Sequence, residues 1–153
     1  MSKLTAFLCL ILFVLLGSAG LSWSADFQKG LEAHNKRDYA TALREWTPFA
    51  EQGDAIAQFI LGMMYRKGRG VPKDDKTALK WHTLAAEQGL AVAQYNLGHM
   101  YLRGHGVPQN YKTAVKWWTR AAEQGNPRAQ RGLEVLQKKL KRWRKFRETS
   151  RWC

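Results

Sequence analysis

The sequence predicts an all-α protein, in which antiparallel helix pairs form a short right-handed α-solenoid and a basic C-terminal helix closes it. Two observations predict this fold class: a segment of 36 residues occurs twice in succession, and each copy carries apolar residues at helical spacing. The basic C-terminal helix is indicated by the concentration of basic residues near the end of this chain, which has 153 residues and a net charge of +13. A period in the mid-thirties is typical of helical solenoids, whose units bury their apolar faces against one another.

The first part of the chain, residues 1–24, is expected to be a signal peptide, so that the mature chain begins at Ala25. Lys3 precedes an uncharged run of 13 residues, 4–16, which is shorter than the roughly 20 residues of a membrane span. Small residues stand three positions and one position before this cleavage site. Cleavage after Ala19 is the competing prediction, and an uncleaved anchoring segment is the alternative. Export to the periplasm or to the medium is therefore predicted.

The cysteine content predicts no disulfide framework. Cys9 lies in the predicted signal peptide and Cys153 is the last residue, so the mature chain has no pair for an intramolecular disulfide. Cys153 either cross-links two copies of the chain or belongs to an incidental chain end.

The repeats set the predicted organisation of the mature chain. The two complete copies are identical at roughly 60% of their positions, and a shorter unit with an abbreviated turn precedes them as an N-terminal cap. The repeat domain is expected to cover residues 25–135. Within this domain we expect the cap unit at 27–53, the repeats at 54–89 and 90–125, and the start of the C-terminal helix at 126–135. The basic helix or tail follows at 136–153.

Each repeat is predicted to contain two helices joined by the turn Gly-x-Gly-Val-Pro. In the first repeat Asp54 is placed to cap the first helix, Gly68 and Gly70 to end it, and Pro72 stands just before the second. The helical spacing also predicts which residues face the interior. They are Ala57, Leu61, Met64, Tyr65 and their equivalents Ala93, Leu97, Met100 and Tyr101 on the first helices, and Ala78, Trp81, Ala85 and Ala86 on a second helix.

Both repeats also carry Leu-Gly, a tyrosine, Gly-x-Gly-Val, Thr-Ala, a tryptophan and a terminal Ala-Ala-Glu-Gln-Gly in the same order. This pattern resembles Sel1-like repeats, relatives of the tetratricopeptide repeat (TPR), over about residues 27–132. The resemblance implies a TPR-like α-solenoid that acts as an adaptor, binds proteins or peptides and performs no chemistry. Activity toward β-lactams has been ascribed to some cysteine-rich bacterial members, but no unit of this chain carries a cysteine pair.

No catalytic, metal-binding or cofactor-binding motif is present in the sequence, so we predict a protein that is not an enzyme and uses no cofactor. His99 and His105 are six positions apart, which does not place two metal ligands on one helical face. His105 stands between two glycines and is expected to be solvated. His82 takes the position that Trp118 has in the next repeat, and we expect it to be a packing or surface residue.

The candidate binding surface consists of first-helix positions that differ between the two repeats. They are spaced i, i+4, i+7, so each set of three shares one helical face. We predict that the two sets form a groove for an extended segment or a helix of a protein partner. The candidate groove residues are Phe59, Met63, Arg66, Tyr95, His99 and Leu102. The alternative is that part of this stripe packs against the preceding helix pair.

Positive charge concentrates in residues 136–153, which hold eight Lys or Arg and one Glu. Leucines and Trp143 continue an apolar stripe there, so the last helix is expected to cap the solenoid with one side and expose its cations on the other. The residues predicted to contact an anionic partner are Lys138, Lys139, Lys141, Arg142, Arg144 and Lys145. The partners considered are anionic lipid, an envelope polymer and an acidic protein. Predicted export disfavours nucleic acid, and a role limited to capping and solubility stays open.

These observations together predict an exported, non-catalytic repeat protein that binds or scaffolds proteins in the bacterial cell envelope. One alternative is binding to an anionic membrane or envelope polymer through the basic C-terminal helix. The other is a β-lactam-processing enzyme, which the absence of cysteine pairs disfavours.

Overall fold

The computed structural model describes residues 25–149, and this part of the chain contains seven helices and no strand. The side chains of residues 139–140 and 143–149 lie outside that description, as do the predicted signal peptide and Cys153. The helices are α1 at residues 25–35, α2 at Tyr39–Glu51, α3 at Ala55–Lys67, α4 at Asp75–Glu87, α5 at Ala91–Arg103, α6 at Tyr111–Glu123 and α7 at Pro127–Thr149. The predicted all-α class is confirmed.

The helices pack in the order in which they occur in the chain. Consecutive helices from α2 to α7 contact each other. The contacts within the pairs α3–α4 and α5–α6 are the most extensive. Such nearest-neighbour packing of similar helix pairs is the architecture of a solenoid. Because every interface joins adjacent parts of the chain, the apolar core runs through the stack instead of forming one central cluster.

The core repeats its residues at the predicted spacing. Leu61 and Leu97 are 1% and 0% exposed, and the alanines on the inner sides of the helices are completely buried, which confirms the predicted interior positions. The exceptions are Tyr65, Tyr101 and Trp81, which are half-buried; Trp81 packs at the margin of the core cluster around α2 and α3. Small side chains allow the helix axes of a pair to approach closely. A Cβ atom on Gly98, for example, would lie 2.5 Å from the indole ring of Trp118.

The two glycines of the Gly-x-Gly-Val-Pro turn have different structural roles. The first, Gly68 or Gly104, ends a helix in the left-handed conformation, as predicted. The second, at Gly70 and Gly106, has a φ of +74° and +70° and lies against the backbone of the preceding unit. A Cβ atom there would overlap the carbonyl group of the residue that begins the previous unit's second helix. The motif therefore recurs because each turn rests on the unit before it.

The turn of the cap unit is shorter than the turns of the two repeats. The helices α1 and α2 are separated by residues 36–38 alone, where Arg37 adopts a φ of +62°. Asp38 then caps α2 by accepting a hydrogen bond from the amide of Thr41. Asp54 caps α3 in the same manner through the amide of Ala57, at 2.7 Å, which confirms the predicted cap.

Buried glutamines join consecutive units. Gln58 is 4% exposed; its amide nitrogen donates to the carbonyl of Ala50 at 3.0 Å, and its side-chain oxygen accepts from Gln88 at 2.8 Å. The next unit repeats this pair of bonds with Gln94, Ala86 and Gln124. Each buried glutamine thus bridges the end of one second helix to the end of the next. These bonds explain the glutamine near the start of α3, α5 and α7 and the glutamine in Ala-Ala-Glu-Gln-Gly.

The last helix begins as the first helix of a further unit and then departs from the pattern. Ala129 is fully buried, as its repeat equivalents are, and Gln130 donates to the carbonyl of Ala122 at 3.3 Å. However, Glu134 stands where the repeats have a close-packed glycine, and Leu140 stands where they have the helix-ending glycine. Without that glycine, α7 continues to Thr149 across the predicted boundary at residue 136.

Candidate functional site

Three positions recur on one face of the first helices of successive units. The shortened cap turn changes the offset from 36 to 32 residues for α1. The equivalence is supported by matching bonds, since the indole nitrogens of Trp46 and Trp118 donate to the carbonyls of Phe27 and Tyr95. We call these positions the first-helix surface. Its members are Phe27, Leu31 and His34 on α1, Phe59, Met63 and Arg66 on α3, Tyr95, His99 and Leu102 on α5, and Arg131, Val135 and Lys138 on α7.

The aromatic residues of this surface are both packed and accessible. The ring of Phe59 lies 5.6 Å from the ring of His82, and the ring of Tyr95 stacks 6.1 Å from the ring of Trp118. Both side chains remain half-buried instead of fully enclosed. Both rings thus pack on the second helix of their own unit and keep part of their surface accessible.

A cavity of about 280 Å³ opens between α1 and α3. Phe59 and Met63 line it, together with Phe27, Leu31 and His34 of the cap unit. Its surface is mainly apolar, and Leu31 is 41% exposed. Sequence reasoning missed the contribution of α1, although the offset of 32 residues between α1 and α3 is visible once the short cap turn is taken into account.

A second cavity, of about 610 Å³, lies between α5, α6 and α7 and is called the C-terminal cavity below. Tyr95 and Leu102 line it, beside Trp118 and the apolar side chain of Val135. Three arginines also border it: Arg103, Arg128 and Arg131. Of these lining residues, Tyr95 and Leu102 belong to the predicted groove; the sequence of α7 predicts a cap and gives no indication of a binding face.

At the centre of the first-helix surface, the sulfur atom of Met63 accepts two hydrogen bonds, one from α3 and one from α5. The side-chain amide of Asn96 donates to Sδ of Met63 at 3.2 Å, and the guanidinium group of Arg66 donates to the same sulfur at 3.5 Å. Four of the six predicted groove residues are divided between the two cavities, Phe59 and Met63 in the first and Tyr95 and Leu102 in the second. Arg66 and His99 line neither of them.

His105 keeps 43% of its side chain exposed, which agrees with the expected solvation, and it also contacts two neighbours. Its ring stacks on that of His99 at 6.3 Å, and its Nδ1 lies 3.6 Å from the carboxylate of Asp75. The cause is the packing of the glycine turn, which brings His105 onto the start of the previous unit's second helix. Burial, followed by the nearby charges of Arg103 and Arg66, lowers the pKa of His99. No cluster of metal ligands occurs among residues 25–149.

His82 is an interior residue, which agrees with the packing role that its position predicted. It is completely buried, and neither ring nitrogen has a hydrogen-bond partner in the described part of the chain. Burial and the charge of Arg66 lower its pKa from 6.5 to about 4. The imidazole is therefore neutral at physiological pH and is not accessible to a substrate.

The basic residues of α7 are described in part. Lys138, Lys141 and Arg142 are exposed on this helix, whereas the side chains of Lys139, Arg144 and Lys145 lie outside the described residues. In the described region, no helix has both the length and the apolar character that a membrane crossing requires.

Comparison with known proteins identifies the repeats. The model of the Sel1 repeat family matches residues 55–90 and 91–126, one residue later than the predicted repeat boundaries. No curated protein matches the chain.

Solved structures with the same fold include a Sel1 repeat protein from Oxalobacter formigenes. It is 37% identical, with a TM-score of 0.68, and the match covers 72% of this chain and 45% of that protein. The protective antigen c5321 of uropathogenic Escherichia coli, which displays an SLR fold, is 39% identical with a TM-score of 0.65, over 68% of this chain and 23% of the antigen. The chain thus spans less than half the length of either protein.

A third structure, cysteine rich protein B of Helicobacter pylori, shares the fold at 20% identity. Its TM-score is 0.57, and the match covers 71% of this chain and 92% of that one.

Proposed function

Because this chain is a Sel1 repeat protein, we propose that it is an exported, non-catalytic protein that binds a protein partner in the bacterial cell envelope through its first-helix surface. Sel1 repeat proteins generally mediate protein–protein interaction. Export rests on the N-terminal sequence, in which a basic residue precedes a short apolar run and small residues. The destination proposed is the periplasm or the medium.

The observation that carries the proposal is the pair of cavities along the first helices. Apolar and aromatic side chains that remain half-buried line both of them, and aromatic residues of this kind dominate the binding energy of protein interfaces. Two complete repeats and a cap offer a small surface, so an affinity in the micromolar range is expected for a single short partner segment.

Absence of catalysis is proposed on chemical grounds. Sel1 repeat proteins and the similar solved structures are typically non-catalytic scaffolds. The most perturbed titratable group, His82, is sealed in the core, and His99 and His105 contact each other and Asp75 without a nucleophile among their described contacts. A colorimetric assay of β-lactam turnover on the purified mature protein tests this point, and measurable turnover would contradict the proposal.

The test of partner binding is site-specific photo-cross-linking in cells. A photoreactive amino acid at Met63 reports on the first-helix surface, and the same amino acid at Lys80, an exposed residue of α4, serves as the matched control. We expect one or more defined protein adducts from position 63 and none of them from position 80. Identical adducts from both positions would refute a specific role of this surface.

A second candidate function follows from the exposed lysines and arginine of α7. With eight basic residues and one acidic residue over 136–153, this segment is suited to an anionic membrane or envelope polymer. Truncation after Leu136 separates the two functions. If the adducts at position 63 persist in the truncated protein, the first-helix surface is responsible; if they disappear together with salt-sensitive binding to anionic vesicles, the basic segment is.

A further inference from the structure

We propose that the C-terminal cavity binds an extended acidic segment of a partner protein, which inserts one apolar side chain between carboxylates that pair with the surrounding arginines. This inference rests on the proposed function and specifies the chemistry of the partner. It concerns the part of the first-helix surface that α5 and α7 provide.

The cavity exists because the unit that begins with α7 is incomplete. In the preceding units, the second glycine of a turn covers the residue that begins the previous second helix, as Gly70 covers Tyr39 and Gly106 covers Asp75. The equivalent residue on α6 is Tyr111, but α7 continues as a helix where the next turn would form. Tyr111 is consequently 53% exposed and lines the cavity.

The floor of the cavity is apolar. Tyr95, Leu102 and Trp118 form its inner wall, and Val135 on α7 is 67% exposed at its opening. The volume of about 610 Å³ exceeds that of any single side chain, so it accommodates one large apolar residue together with the adjoining backbone. An apolar residue as exposed as Val135, beside an aromatic wall, favours a ligand with a hydrophobic group.

The border of the cavity carries positive charge that no acidic residue of the lining neutralises. Arg103 at the end of α5 and Arg128 and Arg131 at the start of α7 are exposed. No acidic residue lines the cavity, and none of the three guanidinium groups forms an ion pair within the described residues. Arginine pairs with carboxylates through two parallel hydrogen bonds, which makes three such groups around an apolar pocket selective for acidic ligands.

The arrangement favours a peptide over a lipid surface. Successive side chains of an extended peptide point to opposite sides, and residues two apart, roughly 6.6 Å from one another, share a side. A segment in which glutamates flank an aromatic residue therefore matches cations placed around an apolar centre. A flat bilayer presents its anionic groups in one plane and offers no single apolar group to enter the cavity.

Fluorescence anisotropy with labelled peptides tests the proposal on the chain from residue 25 to 153. The probes are a peptide in which glutamates flank one phenylalanine, its glutamine counterpart, its lysine counterpart, and a version with alanine in place of the phenylalanine. We expect the glutamate–phenylalanine peptide to bind at least about tenfold more tightly than the other three, with an affinity that weakens as salt increases.

Charge reversal assigns the binding to the cavity. In the variant Arg103→Glu, Arg128→Glu, Arg131→Glu the affinity for the acidic peptide is expected to fall at least about tenfold. The matched control carries the same change of charge at exposed residues of α4 and α6 outside the cavity, namely Lys76→Glu, Lys80→Glu and Lys116→Glu, and it should bind nearly as the unmodified protein does. Val135→Glu provides a second variant at an exposed site, and it should also weaken binding.

Several outcomes would overturn the proposal. Equal losses in the cavity variant and in the control would show non-specific attraction, and equal affinity for the glutamine peptide would show that carboxylates are not recognised. Binding of anionic phosphatidylglycerol vesicles that the cavity variant abolishes, without binding of the acidic peptide, would assign the arginines to lipid. If the glutamine or lysine peptide binds and photo-cross-linking at Met63 succeeds, the proposed function stands while this inference fails. If neither peptide binding nor cross-linking occurs, both fail.

Discussion

Acidification is expected to destabilise the fold through one buried imidazole, that of His82. Its pKa is lowered from 6.5 to about 4 in the folded chain, chiefly by burial, so between these values the unfolded chain binds the proton and the folded chain does not. The contribution of the neutral His82 to stability is therefore fully present well above pH 6.5. It decreases as the pH falls through this range and is lost near pH 4. At roughly 1.4 kcal/mol per pH unit, the loss attributable to His82 is about 3 kcal/mol.

Urea unfolding followed by far-UV circular dichroism, at a series of pH values from 7 to 4, measures this loss. Asp38 and Asp74 also have lowered pKa values, because they accept hydrogen bonds from Thr41 and Thr77, so the unmodified protein alone does not isolate the histidine. The variants His82→Phe and His82→Trp remove the imidazole, and the second restores the residue type of the equivalent positions. An unchanged pH dependence in both variants would refute the reasoning.

Two further predictions concern contacts between units. Gly106→Ala is expected to cost about 2 kcal/mol or more, because its Cβ atom overlaps the preceding unit, whereas Gly89→Ala, also at positive φ but with nothing within 4 Å, should cost about 1 kcal/mol. Gln94→Leu should cost about 1–2 kcal/mol, since it removes the hydrogen bonds to the carbonyl of Ala86 and from the side chain of Gln124, and Gln28→Leu on the surface of α1 should be near neutral. Urea unfolding measures both pairs, and equal losses within a pair would contradict these reasons.

The fold was predictable because the information is local and duplicated. A first helix shows its buried face through Ala57, Leu61 and Met64, and the next copy shows the same face 36 residues later. Caps and turns are also local, since Asp54 and Gly68 act within a few residues of themselves. Repetition then implies stacking, because a single helix pair cannot bury its own apolar face.

The candidate site and the bonds between units were predictable only in part. The features that the sequence does not indicate depend on contacts between distant positions. Gln88 reaches Gln58 across 30 residues, and the helical periodicity of either segment does not indicate that bond. His105 meets Asp75 because a turn packs on a neighbouring unit, which depends on the relative placement of two units. The C-terminal cavity likewise arises from a turn that does not form; Leu140 in place of the glycine of that turn indicates that the turn is missing, but not that a cavity results.

The reliance of each glycine turn on its predecessor also constrains how such a protein changes in evolution. Duplication of a complete 36-residue segment inserts a unit whose upper and lower surfaces already match those of its neighbours. A duplication whose length is not a multiple of 36 residues leaves a glycine turn without the helix start on which it packs, or such a helix start without its turn. Length variation in this architecture should therefore occur in whole multiples of the repeat, and the ends, where one surface has no counterpart, are the places at which novel side chains are tolerated.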